Sequence, residues 1–293
     1  MKHAYLILAN SNFQILNLLI EMLDDEENDF FILIDAKVKT SISEIITYQP
    51  KESKVIEVPR IKISWASYSG IQAVLTLLEA AKIQGMYRYF TFMQGSDFPI
   101  KKKSEISSFF KEHDGYEFVH FDPKWYEFGE YKINYHHFFV NNRYYRKSKF
   151  LKAISHGIAL LEKKLGLIRN KNLIYSGSAL FSITDNLCSY LLENKDKIFK
   201  LSKYSIAADE VVFQTLIMET SFKDRLYAFE RQGGNLYFID WGRRTGSSPH
   251  TFTEEDYDRL MTLPYYFLFA RKFQESSSMS LVRMLQKNLM EKN

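Results

Sequence analysis

The segment 240–252 brings together residue types that suit a phosphorylated sugar. It reads Asp-Trp-Gly-Arg-Arg-Thr-Gly-Ser-Ser-Pro-His-Thr-Phe. The indole of Trp241 can lie against the apolar face of a sugar ring, and the guanidinium groups of Arg243 and Arg244 match phosphate oxygens. A Gly/Ser/Pro turn also lets the backbone approach a ligand closely. The alternative is the end of a surface hairpin, in which Trp241 covers the core and both arginines are solvated.

Asp209 and Glu210 form an acidic pair directly before an apolar run at 211–213. This position predicts the start of a helix, where one carboxylate can cap the helix and the other can project into a cleft as a general base. Glu210 could equally interact with the helix dipole. From spacing alone, the capping interpretation is favoured.

Several common catalytic motifs are missing from the sequence. There is no Gly-x-Gly-x-x-Gly after the first predicted strand, no Gly-Lys-Ser/Thr loop, no His-Glu-x-x-His and no Gly-x-Ser-x-Gly. These absences argue against a dinucleotide oxidoreductase, a P-loop NTPase, a zincin and an α/β-hydrolase. The adjacent His136 and His137 would face opposite sides of a strand. We therefore interpret them as polar residues of a loop or of an acceptor site rather than as metal ligands.

Asp256 and Asp258 have the Asp-x-Asp spacing that can hold a divalent cation on a diphosphate. They follow Thr253 and two further acids, a pattern typical of a capped helix start, and we favour that role. Without a metal, positive side chains must neutralise a leaving diphosphate. The last third of the chain offers Arg243, Arg244, Arg271 and Lys272.

Composition limits the class of protein. A chain of 293 residues with 46% apolar content suffices for one large α/β domain or two small ones. The net charge of +4 is dispersed, and the basic cluster at 101–103 is too short for a nucleic-acid stripe, so an anionic small ligand or an anionic membrane surface fits better. The single cysteine, Cys188, excludes an intramolecular disulfide and a cysteine-based zinc site. The apolar stretch at 4–9 is too short for a signal peptide or a membrane span, which predicts a cytoplasmic protein that can still touch a membrane.

Apolar runs and helical periodicity predict alternating strands and helices over the first 122 residues. The predicted strands are 5–9, 30–34, 55–58, 87–93 and 118–121, and the predicted helices are 13–23, 69–82 and 104–110. In such sheets, ligands bind at the carboxyl ends of the strands. Asn10, Ser11 and Asp35 are therefore expected to face a crevice, and the turn 94–99 lies at the end of another strand.

The second half has a less regular pattern. We interpret 122–146, which is dense in Tyr, His, Trp and charge, as a long functional loop. Strands are predicted at 175–183 and 236–239, and helices at 154–165, 185–193 and 211–219. The amphipathic stretch 279–290 could pack on the domain, lie on an anionic bilayer or pair with another subunit, and packing is favoured.

Several motifs, in order, resemble the glycosyltransferase family of core-2/I-branching β-1,6-N-acetylglucosaminyltransferases and peptide O-xylosyltransferases, in a compact bacterial form. The similarity spans most of the chain. The motifs are the strand 4–9 with Ile34 and Asp35, Trp-Ala-Ser-Tyr-Ser at 65–69, Gly-Ser-Asp-Phe-Pro-Ile at 95–100, Ser-Gly-Ser-Ala at 176–179, Asp209 with Glu210, Asp240 with Trp241, Ser-Pro-His-Thr-Phe-Thr at 248–253, and Phe-Ala-Arg-Lys-Phe at 269–273.

The resemblance implies a GT-A-like α/β fold with a mostly parallel central sheet, flanking helices and a Rossmann-like N-terminal half. It also implies inversion at the anomeric carbon without a metal or other cofactor. By resemblance, Glu210 is the catalytic base, Lys272 holds the donor diphosphate, Asp35 contacts the uridine and Trp241 lines the acceptor. The arginine that partners Lys272 is left open between Arg243 and Arg244.

We therefore expect a single catalytic domain at 1–275, with a nucleotide-binding half at 1–122 and an acceptor half at 123–275, followed by a C-terminal helix at 276–293. The expected donor-binding residues are Asn10, Ser11, Asp35, Ser69, Gly95, Ser96, Asp97, Arg243, Arg244 and Lys272. The expected acceptor-binding residues are Trp241, Tyr126, Tyr135, His136, Ser176, Gly177 and Ser178.

The expected reaction moves a sugar from a UDP-sugar, foremost UDP-N-acetylglucosamine, onto a glycan hydroxyl in surface polysaccharide synthesis. The glycan can be free or lipid-linked, and no nucleic-acid partner is expected. UDP-galactose, UDP-glucose or UDP-xylose as donor, or a non-catalytic nucleotide- or glycan-binding protein, are the alternatives.

Overall fold

The computed structural model describes residues 1–122, 126–142, 144–170, 173–229, 233–246 and 248–290, with the side chains of 126–128 outside this part. Its strands are β1 (His3–Ala9), β2 (Asn28–Ile34), β3 (Lys54–Val58), β4 (Tyr89–Gln94), β5 (Asp97–Pro99), β6 (Phe118–Phe121), β7 (Gly177–Thr184), β8 (Tyr237–Ile239) and β9 (Phe269–Arg271). Its helices are α1 (Phe13–Leu23), α2 (Ile42–Ile45), α3 (Tyr68–Gln84), α4 (Lys103–Glu112), α5 (Tyr126–Asn134), α6 (Lys149–Lys164), α7 (Asp185–Glu193), α8 (Lys195–Ser202), α9 (Val212–Met218), α10 (Tyr257–Met261) and α11 (Glu275–Met290).

The central sheet has the strand order β3-β2-β1-β4-β7-β6. Strands β1 to β4 are parallel, while β7 runs antiparallel to both β4 and β6. All of β2 and nearly all of β1 is buried, as expected for parallel strands covered on both faces. The expected α/β fold class, with a mostly parallel central sheet flanked by helices, is confirmed. Because β4 pairs with β7, strands from both halves of the chain form one sheet.

A second, smaller sheet has the order β5-β9-β8. Asp97 pairs with Arg271 in the antiparallel β5–β9 ladder, and Ile239 pairs with Arg271 in the parallel β8–β9 ladder. The sequence predicts a turn at β5 and nothing at β9. The strand predicted at 236–239 corresponds to β8. At β5 and β9, three residues are too few to show a period, so only the tertiary pairing defines these two strands.

The interpretation of 122–146 as one long loop is wrong in part, because α5 occupies Tyr126–Asn134. Its sequence mixes aromatic and charged residues around Gly129, so it lacks a clear apolar stripe. The chain after α5 does run through turns as far as α6. Helix α8 was also missed, and it follows α7 after the single residue Asn194.

The C-terminal helix α11 packs on the domain. Its buried residues are Ser278, Leu281, Val282, Leu285 and Leu289, and it contacts α1, α10 and the short helical turn Glu254–Asp256. The favoured packing interpretation is therefore correct. Since this apolar face is already covered, it is not available to a bilayer or another subunit. None of the described helices is both long and apolar enough to span a membrane.

Candidate functional site

The carboxyl ends of β1 and β4 lie side by side. The Gly95 N–H donates to the Leu8 carbonyl at 3.0 Å, and a Cβ on Gly95 would lie 3.0 Å from both the Ala9 Cβ and the Ser11 carbonyl oxygen. Glycine is therefore the residue that fits this close approach. The Asp35 N–H donates to Ala9 O at 2.9 Å, which brings the end of β2 to the same place. This edge gathers five of the predicted donor residues, namely Asn10, Ser11, Asp35, Gly95 and Ser96.

The loop between β3 and α3 runs past Asp35. The Asp35 carboxylate is buried and accepts from the Lys37 N–H and the Lys37 ammonium, both at 3.0 Å, and from the Ile63 N–H at 3.4 Å. Further along, the Ser69 hydroxyl accepts from the Ser64 N–H at 2.8 Å and shares a 2.7 Å hydrogen bond with Ser67. Ser69 thus holds the start of α3, and its predicted donor contact stays a prediction.

Asp97 is fully buried and fixes the strand that leads to Lys272. Its carboxylate accepts from the Arg271 guanidinium at 2.6 Å and from the Gln94 N–H at 2.8 Å. Burial raises the pKa of Asp97, and the Arg271 charge and these hydrogen bonds oppose the rise. Arg271 also donates to the Gln94 side-chain oxygen at 2.6 Å. Asp97 and Arg271 bind each other. Asp97 is therefore placed to position Lys272, the residue after Arg271, rather than to face a ligand.

The Lys272 ammonium is influenced by the positive charges of Arg271 and Arg146. Its ammonium donates to the Ser248 hydroxyl at 3.4 Å, and in the described part of the chain it makes no ion pair. Its backbone carbonyl accepts from Phe252 N at 3.0 Å. Burial, followed by the charges of Arg271 and Arg146, lowers the pKa of Lys272. A partly buried ammonium without a carboxylate partner is suited to bind an anion.

Arg243 is occupied by two buried carboxylates. Its Nε donates to Asp240 at 2.7 Å and its terminal nitrogen to Asp256 at 2.5 Å. Asp256 also contacts His250 at 3.0 Å. Arg243 therefore holds the segment 240–256 together, while Arg244 is exposed to solvent. Neither side chain contacts Lys272 in the interactions described.

The capping interpretation of the Asp-x-Asp pair is confirmed. Asp256 is 3% exposed and accepts from the Thr253 N–H at 2.9 Å, forming a capping box at the turn Glu254–Asp256. Across the described ranges, no group of three or more His, Cys, Asp or Glu side chains is arranged to hold a metal ion.

Arg146 was not among the predicted site residues. Its guanidinium carbon lies 5.8 Å from the centre of the half-exposed Trp65 ring, a cation–π contact. The next residue, Ala66, accepts from the Ala207 N–H at 2.8 Å through its carbonyl. The Arg146 charge thus acts on Lys272, while its contact partner Trp65 precedes a residue that is bonded to the segment leading to Glu210. It sits in an aperiodic, charged stretch, so no sequence signal distinguished it from its neighbours.

Glu210 ends the short helical turn Ala208–Glu210 before α9, and its side chain is 45% exposed. Its carboxylate forms an ion pair with Lys132 of α5. Burial and the Glu210 charge raise the pKa of Asp209, while hydrogen bonds from backbone N–H groups of the same turn oppose the rise. Asp209 is thus engaged by the backbone of its own turn and Glu210 by Lys132, and the role of Glu210 as general base stays a prediction.

His250 lies between the segment that follows β8 and the residue that follows β9, because its N–H donates to the Asp240 carbonyl at 2.9 Å and its carbonyl accepts from the Lys272 N–H at 3.4 Å. Trp241 is the second residue after β8. Its ring is 51% exposed and therefore accessible to a ligand. Of the weaker acceptor candidates, Tyr135 is buried, and His136 contacts Glu162 at 2.6 Å. The side chain of Tyr126 lies outside the described residues.

The small residues at the start of β7 serve strand pairing. A Cβ on Gly177 would lie 1.8 Å from the His120 carbonyl oxygen, so β6 and β7 meet closely at this point. Ser176 is buried, and its carbonyl accepts from the Asp122 N–H at 2.9 Å. The Ser178 hydroxyl accepts from the Leu180 N–H at 3.2 Å. Their predicted acceptor contacts remain predictions.

Comparison with protein-family models gives a match that covers most of the chain. A protein-family model described as "Branch: Core-2/I-Branching enzyme" matches residues 3–261. No curated protein is significantly similar in sequence.

Among solved structures, mouse xyloside xylosyltransferase 1 in its apo form is 9% identical, with 92% of this chain and 96% of that chain covered and a TM-score of 0.42. Core-mannan synthase A from Aspergillus fumigatus, in an Mn/GDP form, is 10% identical over 74% and 69%, with a TM-score of 0.38. S. aureus TarS is 17% identical over 39% of this chain, with a TM-score of 0.28, and the aligned part spans 20% of TarS. With TM-scores below 0.5, none of these three assigns a substrate or a mechanism.

Proposed function

Because this chain belongs to the core-2/I-branching enzyme family and is a glycosyltransferase, we propose that it transfers a sugar from a UDP-sugar to a glycan hydroxyl, inverting the anomeric centre without a metal. One arrangement carries the proposal. Lys272 is an ammonium without an ion-pair partner in the described part, and the Arg146 charge acts on it. Arg146 in turn lies over Trp65, whose neighbour Ala66 accepts from the segment that leads to Glu210. A cationic group for the leaving diphosphate and a carboxylate for the acceptor hydroxyl are what a single displacement on a sugar diphosphate requires.

The donor would lie along the edge formed by β1, β2 and β4. Asp35 would accept from the nucleoside, with the turns at 10–11 and 95–96 close to it. Lys272 would bind the diphosphate, and Arg146 would be its arginine partner. Arg243 is a weaker candidate for that role because its guanidinium already binds Asp240 and Asp256.

In the transfer step, Glu210 takes the proton of the acceptor hydroxyl as that oxygen attacks the anomeric carbon. The bond from this carbon to the diphosphate oxygen breaks, and its electron pair leaves with UDP. Lys272 and Arg146 stabilise the charge that grows on the leaving group. Trp241 would stack on the acceptor sugar. Because Lys132 holds the Glu210 carboxylate, the incoming hydroxyl must share or displace that ion pair.

For the donor we propose UDP-N-acetylglucosamine, with a β-linked product on a surface polysaccharide that is free or lipid-linked. The proposed location is the cytoplasm, at the inner face of the cell membrane. UDP-galactose, UDP-glucose and UDP-xylose are the donors to compare.

The test measures UDP release from each UDP-sugar in the presence of candidate glycans, together with thermal stabilisation by the same donors. Glu210→Gln should lower turnover by at least about 100-fold, because the base is lost, while UDP affinity stays within a few-fold. Glu193→Gln, an exposed carboxylate on α7, is the matched control and should behave as wild type. EDTA should not inhibit.

Two results would contradict the proposal. Full turnover by the Glu210→Gln variant would remove Glu210 as the base. A strict requirement for Mn²⁺ would overturn the metal-free mechanism and would indicate that acidic side chains near the diphosphate hold a metal ion.

A further inference from the structure

Helix α6 carries its large apolar side chains on the outside. Phe150, Leu161 and Leu165 are 72%, 57% and 61% exposed. Together with Ile154 they are spaced by 4, 7 and 4 residues, which places them on one face of a helix. On the side that packs on the body of the protein, Ser155 and Ala159 are buried and Leu151 and Ile158 are half-buried. The helix is therefore amphipathic, with its apolar face turned to solvent.

Large apolar side chains are also exposed beyond the helix. Leu167, Ile168 and Leu173 follow it in the chain and are 57%, 47% and 56% exposed. We call Phe150, Leu161, Leu165 and these three residues the α6 patch. Monomeric proteins in water rarely leave so many large apolar side chains exposed together, and such patches mark interaction surfaces.

The charges around the α6 patch have one sign. Residues 146–173 contain eight Lys and Arg and one acidic residue, Glu162. Glu162 contacts His136 and is only 16% exposed, so its charge is directed inward. Lys149, Lys152, Lys163 and Lys164 are exposed on this helix. Helical spacing places Lys164 next to the apolar stripe and the other three on the remaining exposed surface of the helix. The aliphatic stem of Lys164 can cover apolar surface while its ammonium group reaches an anionic headgroup.

We propose that the α6 patch is a docking surface for a bilayer that contains anionic lipids. An exposed apolar stripe on a helix whose exposed charges are all lysines is the pattern of a helix that lies in the membrane interface. A second copy of this chain fits less well, because it would bring two sets of lysines together. Arg169, at the end of the segment, donates to the carbonyl oxygens of Ile133 at 3.4 Å and Lys203 at 2.6 Å, so the docked surface is tied to the elements on either side of Glu210.

The experiment is flotation of the full chain with vesicles of phosphatidylcholine alone or mixed with phosphatidylglycerol. The wild type should float with the mixed vesicles and much less with phosphatidylcholine alone, and high salt should weaken binding. The variant Phe150→Ser/Leu161→Ser/Leu165→Ser should bind at least about tenfold more weakly. Lys163→Glu/Lys164→Glu should lose the preference for phosphatidylglycerol.

The matched control is Ile83→Ser/Met86→Ser, which alters two apolar side chains that are 86% and 93% exposed elsewhere on the surface. It should float like the wild type, and thermal unfolding should show that all variants are folded. Equal flotation of the triple serine variant and the wild type would overturn the proposal. The proposal would also fail if the wild type bound neither kind of vesicle. That outcome includes a wild type that sediments as a dimer while the triple serine variant sediments as a monomer. None of these readouts depends on sugar transfer.

Discussion

At the residue scale, the cations near the small sheet divide into two groups by their partners. Arg243 and Arg271 are held by buried carboxylates, whereas Lys272 and Arg146 have no carboxylate partner among the interactions described. Cations that are already neutralised stabilise the fold and add little to anion binding. Those without such partners are available to a diphosphate.

We expect Lys272→Ala and Arg146→Ala each to weaken UDP binding by about tenfold or more, because each removes a charge-assisted hydrogen bond to phosphate. Arg146→Lys should recover only part of the loss, since a lysine cannot bind two phosphate oxygens side by side. Titration calorimetry with UDP measures all three variants.

Lys147→Ala is the control for Arg146, because it removes the neighbouring exposed positive charge and should leave UDP binding unchanged. Arg243→Ala should instead lower the melting temperature, since it leaves Asp240 and Asp256 without their shared partner. An Arg146→Ala variant that binds UDP like the wild type would exclude Arg146 from the diphosphate site.

At the element scale, close approaches of backbone hold the site together. The β4–β5 turn fits against β1 at Gly95, and β6 meets β7 at Gly177. The second contact is tighter, because the His120 carbonyl oxygen lies where a side chain would begin. A missing side chain at such a position is a requirement of the pairing rather than of the ligand.

Gly177→Ala should lower the free energy of unfolding by at least about 3 kcal/mol, because a Cβ 1.8 Å from a carbonyl oxygen forces the β6–β7 pair apart. The control is Gly157→Ala in α6, where a Cβ meets nothing within 4 Å and alanine favours the helix by about 0.5–1 kcal/mol. Urea unfolding of both variants measures the difference. A stable Gly177→Ala variant with reduced sugar transfer would instead favour a ligand contact at this position.

At the scale of the whole molecule, one buried acid ties distant elements together. Glu117 accepts from the Thr184 N–H at 2.8 Å and from the Thr184 hydroxyl at 2.5 Å, which joins the start of β6 to the end of β7. Its backbone N–H donates to Arg225 O, and its carbonyl accepts from Tyr227 N. Burial raises the pKa of Glu117 to about 7, against the opposing effect of the Thr184 hydrogen bonds.

This raised pKa predicts how stability depends on pH. The folded state binds the Glu117 proton more tightly than the unfolded state, whose pKa is 4.5. The stabilisation that the protonated Glu117 side chain gives to the folded state is thus fully present below about pH 4.5 and is lost as the pH rises to about 7. This loss lowers the free energy of unfolding by up to about 3 kcal/mol. Glu117→Gln should remove this part of the pH dependence, so the difference in unfolding free energy between wild type and variant should change between pH 4.5 and 7. A constant difference would show that Glu117 does not titrate in this range.

The sequence by itself determined the main elements and the residue types at the site. The continuous apolar run 30–34 predicts a buried strand, and the helical spacing of apolar residues in 13–23 predicts a helix. Both patterns can be recognised within a single segment of the sequence. The residues after β1 and β2 were predicted to share an edge because parallel strands present their carboxyl ends together, and they do so.

Only the tertiary structure decided which charges are left without partners. Arg243 and Arg146 are the same residue type, and the sequence does not distinguish their roles. Arg243 binds two buried carboxylates 3 and 13 residues away, whereas Arg146 contacts the ring of Trp65 from a distant loop. The same holds for the two amphipathic helices, since α11 is covered by α1 while the apolar face of α6 is left exposed. The environment of Arg146 and the exposure of α6 depend on contacts between segments far apart in the chain, and no local pattern encodes them.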